Sequence, residues 1–365
     1  MLNNIAVSAD CQSQRGKTVS KGITRRAVLA GFAGVAAGAA IGGCSDPGAS
    51  MKELWAVYLE RFVTSDGRVV DSYNKGVSHS ESQGWGMLLA AAAEDWQSFD
   101  RIWGWTRDRL AWEGAPLFAW AWDPDAAAVS DANDASDGDI LIAWALSRAA
   151  IARKDNGLAA ESARTAEAVR RLLVARLATG VSLLPGFYGF DGSGPAVLNL
   201  SYYVFPAFWH FTHSDGDPVW SQLSNDGAAL ARAARFGPDA LTPDWLEISP
   251  DGALAPAPNW PARFGFDAVR VPLYLYWAGF DSDADLGVYR RIWQGEATPP
   301  AWFALDDGPD ATDPAPAGMR AIAELVTTGQ RPTDATLWSA VRDGEYYSAS
   351  LALLAALAAD ERQQS

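Results

Sequence analysis

Cysteine and histidine are scarce: the 365 residues include only Cys11 and Cys44, and only His79, His210 and His213. Two cysteines cannot build a disulfide framework, and so few thiols and imidazoles argue against a zinc or iron centre. No Gly-x-Gly-x-x-Gly follows a strand-like run, so a dinucleotide-dependent oxidoreductase is discounted. No cofactor and no metal are expected. Positive charge is also in deficit, with 29 Lys and Arg against 44 Asp and Glu and a formal charge of −15. Such a chain repels nucleic acid and anionic lipid, and its ligand is expected to be neutral. Beyond residue 43, neither a Pro/Ser/Gly-rich linker nor a fixed-period repeat divides the chain, which predicts one large domain.

Residues 1–43 read as an export signal. Arg15, Lys17, Lys21, Arg25 and Arg26 precede a weakly apolar Ala/Gly stretch from Ala27 to Ile41. Thr24-Arg25-Arg26-Ala27-Val28-Leu29 resembles a twin-arginine signal, with Val28 in place of the usual Phe and Ala30 in place of the usual Lys. Ile41-Gly42-Gly43-Cys44 resembles a lipoprotein cleavage box, which would leave Cys44 as an acylated N-terminus and the only membrane contact. The competing reading is plain cleavage within Ala36–Ala40. Either way Cys11 is removed, no intrachain bridge can form, and the loss of five basic residues and one acid takes the charge to −19. The predicted organisation is signal 1–43, short linker 44–51, folded domain 52–360 and polar tail 361–365, in a protein that is periplasmic or secreted.

Apolar residues recur at helical spacing in twelve segments: 54–62, 86–93, 99–110, 140–151, 159–177, 202–211, 219–234, 269–277, 286–293, 319–326, 335–341 and 346–357. Several are apolar over most of their circumference, as inner helices shielded by an outer layer would be. An all-α (α/α)6 barrel, six helices inside and six outside, is the predicted fold, with short hairpins in the loops of a cleft face. An irregular bundle or a solenoid is the alternative. Seventeen Trp beside four Met is unusual for a core, since each indole N–H needs a partner when buried. In an extended run, Trp120 and Trp122 would point to one side, where flat indoles could pair with sugar rings; for any single Trp, core packing competes.

Three acids sit at predicted helix starts, flanked by glycine and near aromatics. Glu81, in Ser80-Glu81-Ser82-Gln83-Gly84-Trp85, has two readings. It is a general acid kept neutral against Trp85, or an ordinary first-turn acid beside a Ser80/Gln83 capping box. Asp137 and Asp139, either side of Gly138, read individually as an N-cap and a dipole-complementing residue. Asp267, in Phe264-Gly265-Phe266-Asp267 with Arg270 three positions on, could also be a cap.

Taken together, these runs resemble glycoside hydrolase family 8. Ala135 to Leu146 (Ala-Ser-Asp-Gly-Asp-x-x-Ile-Ala-x-Ala-Leu) is similar to the family signature, and Ser80 to Met87 to the proton-donor segment, with Ser82 where glycine is common. Asn199-Leu200-Ser201-Tyr202-Tyr203 resembles an Asn-Pro-Ser-Tyr run with Leu200 replacing Pro; 184–190 and 266–270 also fit. Within the family, the chain resembles the periplasmic endoglucanases that accompany bacterial cellulose synthesis. The resemblance implies an inverting endo-β-1,4-glucanase with Glu81 as proton donor and Asp267 as base. Asp137 would be either a nucleophile or a residue gripping the sugar. Tyr202 and Arg270 would support the base, and Trp85, Trp120 and Trp122 would contact substrate. The implied partners are β-glucan chains and the cellulose synthase complex. Xylanase, lichenase and chitosanase activity within the family stay open, as does a lipid-anchored glucan-binding protein without catalysis.

Overall fold

Apolar spacing becomes helix in all twelve places. The computed structural model describes residues 48–190, 194–296 and 298–364. The helices are α1 (Met51–Phe62), α2 (Ser80–Ala92), α3 (Trp96–Leu110), α4 (Ser136–Arg153), α5 (Asn156–Leu172) and α6 (Phe205–Ser214). They continue as α7 (Pro218–Ala233), α8 (Arg270–Trp277), α9 (Asp283–Trp293), α10 (Ala317–Thr328), α11 (Asp334–Asp343) and α12 (Tyr346–Arg362). The even-numbered helices pack in sequence, α2 on α4, α4 on α6, α6 on α8, α8 on α10 and α10 on α12, and α12 returns to α2. The ring closes, which separates an (α/α)6 barrel from a solenoid or an irregular bundle. Odd-numbered helices lie outside it.

Sequence dictates this division. All eight residues of α8 are buried, as are thirteen of the seventeen in α12, so neither has a solvent face. Outer α5 buries six of its seventeen residues, with Leu158, Ser162, Thr165, Ala166 and Val169 in the i, i+4, i+7 pattern of a one-sided helix and Ala168 beside them. Two glycines set the closest inner contact. A Cβ on Gly84 of α2 would lie 2.6 Å from Leu141 Cβ of α4, and one on Gly138 would lie 2.6 Å from Ser80 Cβ and 2.9 Å from the Glu81 nitrogen. The glycine between Asp137 and Asp139 thus lets the starts of α2 and α4 touch.

Short strands occupy the loops. Strands β1 (Ser78–His79), β2 (Ala119–Asp123) and β3 (Ala128–Asp134) form an antiparallel sheet in that order. β1 feeds α2 and β3 feeds α4, so β2 ties together the chain leading into both. β4 (Val174–Leu177) and β5 (Gly180–Leu183) make a hairpin; β6 (Ala196–Leu198), β7 (Leu246–Ile248) and β8 (Leu254–Pro256) make a second sheet; β9 (Arg263–Phe264) pairs with β10 (Phe303–Ala304).

Boundaries differ from expectation in four places. The segment read as one helix over 159–177 stops at Leu172, because Gly180 at φ +122° folds 174–183 into the β4–β5 hairpin. The helix read from Tyr202 begins at Phe205, with Pro206 in its first turn and a 3-10 turn over Leu200–Tyr202 before it. Ser50, placed in the linker, caps α1 through a reciprocal box with Glu53, and Ala49 opens the compact unit that runs to Ser365. Glu361 and Arg362, placed in the tail, belong to the last turn of α12.

Close packing at Gly84 makes a stability prediction. Gly84→Ala overpacks the α2–α4 contact and should cost about 1–3 kcal/mol. Thermal unfolding followed by circular dichroism should show a midpoint lowered by several degrees; an unchanged midpoint would mean the two helices can separate freely.

Candidate active site

Glu81 and Asp137, from the first turns of α2 and α4, and Asp267, from the turn before α8, meet around a single guanidinium. Arg270, the first residue of α8 with only 3% of its side chain exposed, donates from Nη1 to Glu81 Oε2 and from Nη2 to Asp267 Oδ1 at 2.9 Å. The same Nη2 reaches Ser201 Oγ at 2.7 Å, and Asp137 Oδ2 lies 3.7 Å from Nη1. Trp85 and Tyr202 face the guanidinium, with ring centroids at 5.6 and 6.0 Å.

Local structure explains each placement. His79, not Ser80, is the N-cap of α2: its Nδ1 accepts from the Ser82 nitrogen at 3.0 Å, while Ser82 Oγ accepts from the His79 nitrogen at 3.1 Å. Gln83 does not cap. It is fully buried, accepts from the Val69 nitrogen at 2.6 Å and donates to Thr106 Oγ1 at 2.9 Å. Glu81 is left free to turn towards Arg270. Neither Asp137 nor Asp139 caps α4, whose N-cap is Ala135 without a side-chain bond. Asp137 lies beside Glu81, and the fully buried Asp139 accepts from the Phe118 nitrogen at 2.8 Å beside Asp134. Asp134 in turn accepts from the Phe187 nitrogen at 2.7 Å, clipping the 184–190 loop to the sheet.

Asp267 is held by a residue from another loop. Asp244 Oδ1 accepts from the backbone nitrogens of Gly265 (2.9 Å), Asp267 (3.2 Å) and Ala268 (2.9 Å), and its Oδ2 accepts from Arg263 Nε at 2.9 Å. Trp245 Nε1 donates to Asp267 Oδ2 at 3.1 Å. The Trp245 ring stacks on Trp260 at 4.7 Å and meets the edge of Tyr202 at 5.9 Å. Asp267 keeps 32% of its side chain exposed, against 15% for Glu81 and 3% for Asp137. It is the acid open to the cleft.

Three acids around one cation cannot all ionise freely. Burial raises Asp137 well above the ordinary carboxyl range, and the adjacent Glu81 charge adds to it. Burial also acts on Glu81, but the Arg270 charge, His79 and the hydrogen bond from Asp137 outweigh it and hold Glu81 below its ordinary value. The cleft walls desolvate Asp267 and push it up to about 7, against the pull of Arg270. Without substrate, the Glu81–Asp137 pair therefore holds its proton on Asp137.

The chain matches the model of glycosyl hydrolases family 8 over residues 29–361. The chain belongs to glycosyl hydrolase family 8. It is 37% identical to a probable endoglucanase of Novacetimonas hansenii, over 92% of this chain and 98% of that one. It is 34% identical to an endoglucanase of Cellulomonas uda, over 84% and 89%. Among solved structures, endo-beta-1,4-glucanase CMCax from Acetobacter xylinum superposes with a TM-score of 0.80 at 37% identity, covering 86% of this chain and 99% of that one. An endoglucanase from Komagataeibacter sucrofermentans gives 0.78 at 35%, covering 86% and 98%.

Of the residues singled out in this family 8 chain, Glu81, Asp137, Asp267, Arg270 and Tyr202 form one cluster. Trp85 does not line a cleft. It is fully buried, its Nε1 donating to Tyr274 Oη at 3.2 Å, so it backs Arg270 and cannot touch a sugar. Trp120 and Trp122 lie on extended β2 and are both half-buried, alternating with the buried Ala119 and Ala121, although the pairing with β3 is irregular on both sides of Ala121. Trp122 packs edge-on to Trp105 at 5.3 Å beneath Arg68. The Trp120 indole N–H is buried without an acceptor among the described residues. Asp244, Ser201 and Trp245 were not singled out. Asp244 stands twenty-three positions before Asp267, in a stretch without helical period, where spacing carries no signal.

Asp267 gives a pH-dependent stability. A carboxyl whose folded pKa of about 7 exceeds its unfolded value favours the native state while protonated, and that advantage is lost as pH rises from the unfolded value through about 7. Asp267→Asn should therefore melt higher than wild type at pH 8, with the gap closing towards pH 4. A gap that does not change with pH would contradict the raised value.

Proposed function

We propose that this family 8 protein is an endo-acting, inverting glycoside hydrolase of β-1,4-glucan, with Glu81 as proton donor and Asp267 as the base that activates water. One observation carries the reading: carboxyl groups 186 residues apart in sequence lie on either side of the Arg270 guanidinium. Inversion needs an acid and a base roughly 6.5–9.5 Å apart, leaving room for a water, and a carboxylate–guanidinium–carboxylate bridge spans a gap of that order. The endoglucanase names of the relatives support β-1,4-glucan as substrate.

The proton to be delivered is the one that the Glu81–Asp137 pair holds. A glycosidic oxygen entering beside Glu81 competes with Arg270 for that carboxylate, and the proton passes from Asp137 to Glu81 and on to the leaving oxygen as the C–O bond breaks. On the opposite face of the sugar, water gives a proton to Asp267 while its oxygen bonds to the anomeric carbon. Tyr202, Ser201 and Arg270 orient the base. Asp244 holds the backbone under it.

Glu81→Gln should lower turnover on carboxymethylcellulose by at least about 10²-fold, the low end for a positioned acid. Newly released reducing ends should be in the α configuration by NMR. For wild type, kcat/KM should fall about tenfold per pH unit below about 7, as the base becomes protonated. Release of β ends, or full activity in Glu81→Gln, would remove the assignment.

We infer that the protein is exported and works in the periplasm rather than as a secreted enzyme, on glucan emerging from the cellulose synthase complex, with Cys44 as lipid anchor. The basic start, the Ala/Gly stretch and the Ile41–Cys44 box support this, and all lie outside the described residues. Cys44→Ala should move the protein from the membrane fraction to the soluble periplasmic fraction; wild type already soluble there would exclude the anchor.

A further inference from the structure

The barrel has a second concavity where its inner helices end. It encloses about 350 Å³ and is lined by Trp144 and Arg148 of α4, Trp209 and His210 of α6, Trp277 of α8 and Glu361 of α12. Along each helix axis, rising about 1.5 Å per residue, these positions lie well away from the acids. Arg148 is about 16 Å beyond Asp137, Trp277 about 10 Å beyond Arg270, and Glu361 about 21 Å beyond Tyr347. A glucan crossing the acid cluster does not reach this cavity.

Its lining joins one exposed indole face, Trp209, and a floor of the buried Trp144 and Trp277 to polar groups whose charges are already balanced. Trp144 and Trp277 meet edge to face at 5.2 Å, and the Arg148 guanidinium lies over Trp144 at 5.3 Å. Arg148 also pairs with Glu361 Oε1, while Trp277 Nε1 donates to Glu361 Oε2 at 2.8 Å. The neighbouring Arg362 is neutralised by Asp281 at 2.6 Å. His210 shares a 2.7 Å hydrogen bond with Ser147 Oγ, and burial followed by the Arg148 charge pushes it down to about 4, so it is neutral at neutral pH. At the rim, Trp209 leaves 59% of its surface in solvent, backed by the His213 ring at 4.2 Å.

A charged ligand would have to break these ion pairs, whereas an uncharged one need only stack and hydrogen-bond at their edges. The volume is at the small end of the roughly 300–1,000 Å³ typical of ligand sites. A short run of pyranose rings meets those terms: each offers an apolar face for indole and a rim of hydroxyls for Arg, Glu and His. We propose that this cavity is a second, non-catalytic binding site for a β-1,4-glucan segment, at the end of the barrel opposite the cleft. The choice of glucan rests on the hydrolase reading above; the existence of a neutral-ligand site rests on the cavity alone. Its effect would be to hold a second chain, or another stretch of a long one, while the cleft works.

Calorimetric titration of purified Glu81→Gln protein with cellohexaose tests this. Two sites per chain are expected. Glu81→Gln/Trp209→Ala should keep one site and weaken the other about tenfold in affinity, which is about 1.4 kcal/mol. Trp209→Tyr in the same background should restore it. Trp209 is exposed, so all three proteins should melt alike, and a melting shift in the Ala variant would be controlled by the Tyr variant. A single site untouched by Trp209→Ala overturns the proposal, as does a second site that takes xylohexaose or chitohexaose and not cellohexaose. Binding that depends on Trp209, in a wild-type protein that releases no reducing sugar from carboxymethylcellulose, would uphold the cavity and defeat the hydrolase reading.

Discussion

One buried guanidinium among three carboxyl groups is the constraint on which the site depends. Arg270 is nearly inaccessible, and an unpaired ion there would be expensive, by about 3–5 kcal/mol when a partner of a buried pair is removed. Glu81 and Asp267 satisfy it from two sides, with Asp137 close behind. The acids outnumber the cation, so some carboxyl must stay protonated near neutral pH. Helix N-termini oppose that outcome, because their positive ends favour carboxylates by roughly 0.3–2 kcal/mol. Burial wins: desolvation moves a carboxyl by up to about 3–5 pK units, each about 1.4 kcal/mol. The surplus proton at the catalytic end is thus a product of packing, and it is the reagent an acid catalyst requires.

Barrel geometry is what brings these groups together. Closing a ring of inner helices turns Glu81, Asp137 and Arg270, each in a first helical turn, into neighbours at one end. Contact between the first two requires Gly138, since any Cβ there collides with Ser80. The β1–β2–β3 sheet fixes the approach of the chain into α2 and α4, and Asp134, accepting from the Phe187 nitrogen, locks that sheet to the next loop. Asp267 lacks a helix to stand on. Asp244 substitutes for one by gathering three backbone nitrogens of its loop, as an anion bound by a turn would.

The legible parts of this chain were those written in local period or in dense motif. Twelve apolar stripes correspond to twelve α-helices among the described residues, and inner and outer helices differ in how much of their circumference is apolar. The Ser136–Asp139 run and the Glu81 and Asp267 segments pointed to acids that do meet. Single-residue roles were less legible wherever several side chains could serve one job. His79 caps α2 through an imidazole, a rarer acceptor than serine, so the Ser80/Gln83 spacing suggested a box that does not form. Trp85 was assigned to substrate, yet its indole has Tyr274 as partner and Arg270 on its face, and so belongs inside. Asp244 acts only across a long-range loop contact, which no periodicity encodes.

Polarity of the inner ring also orders the charges at the far end. Helix C-termini favour cations, and the last turns of α4 and α12 carry Arg153 and Arg362, with Arg148 one turn further in. In a chain with a formal charge of −15, the arginines at the ends of α4 and α12 thus lie where those helices present their carbonyls, and Glu81, Asp137 and Asp139 where α2 and α4 present their amides. Guanidiniums there attract Asp281 and Glu361 and stack on indoles, which leaves a neutral, aromatic surface. Charge pairing therefore suits this end to an uncharged ligand, while burial around Arg270 keeps a proton at the other, so the two ends of one barrel differ in chemistry.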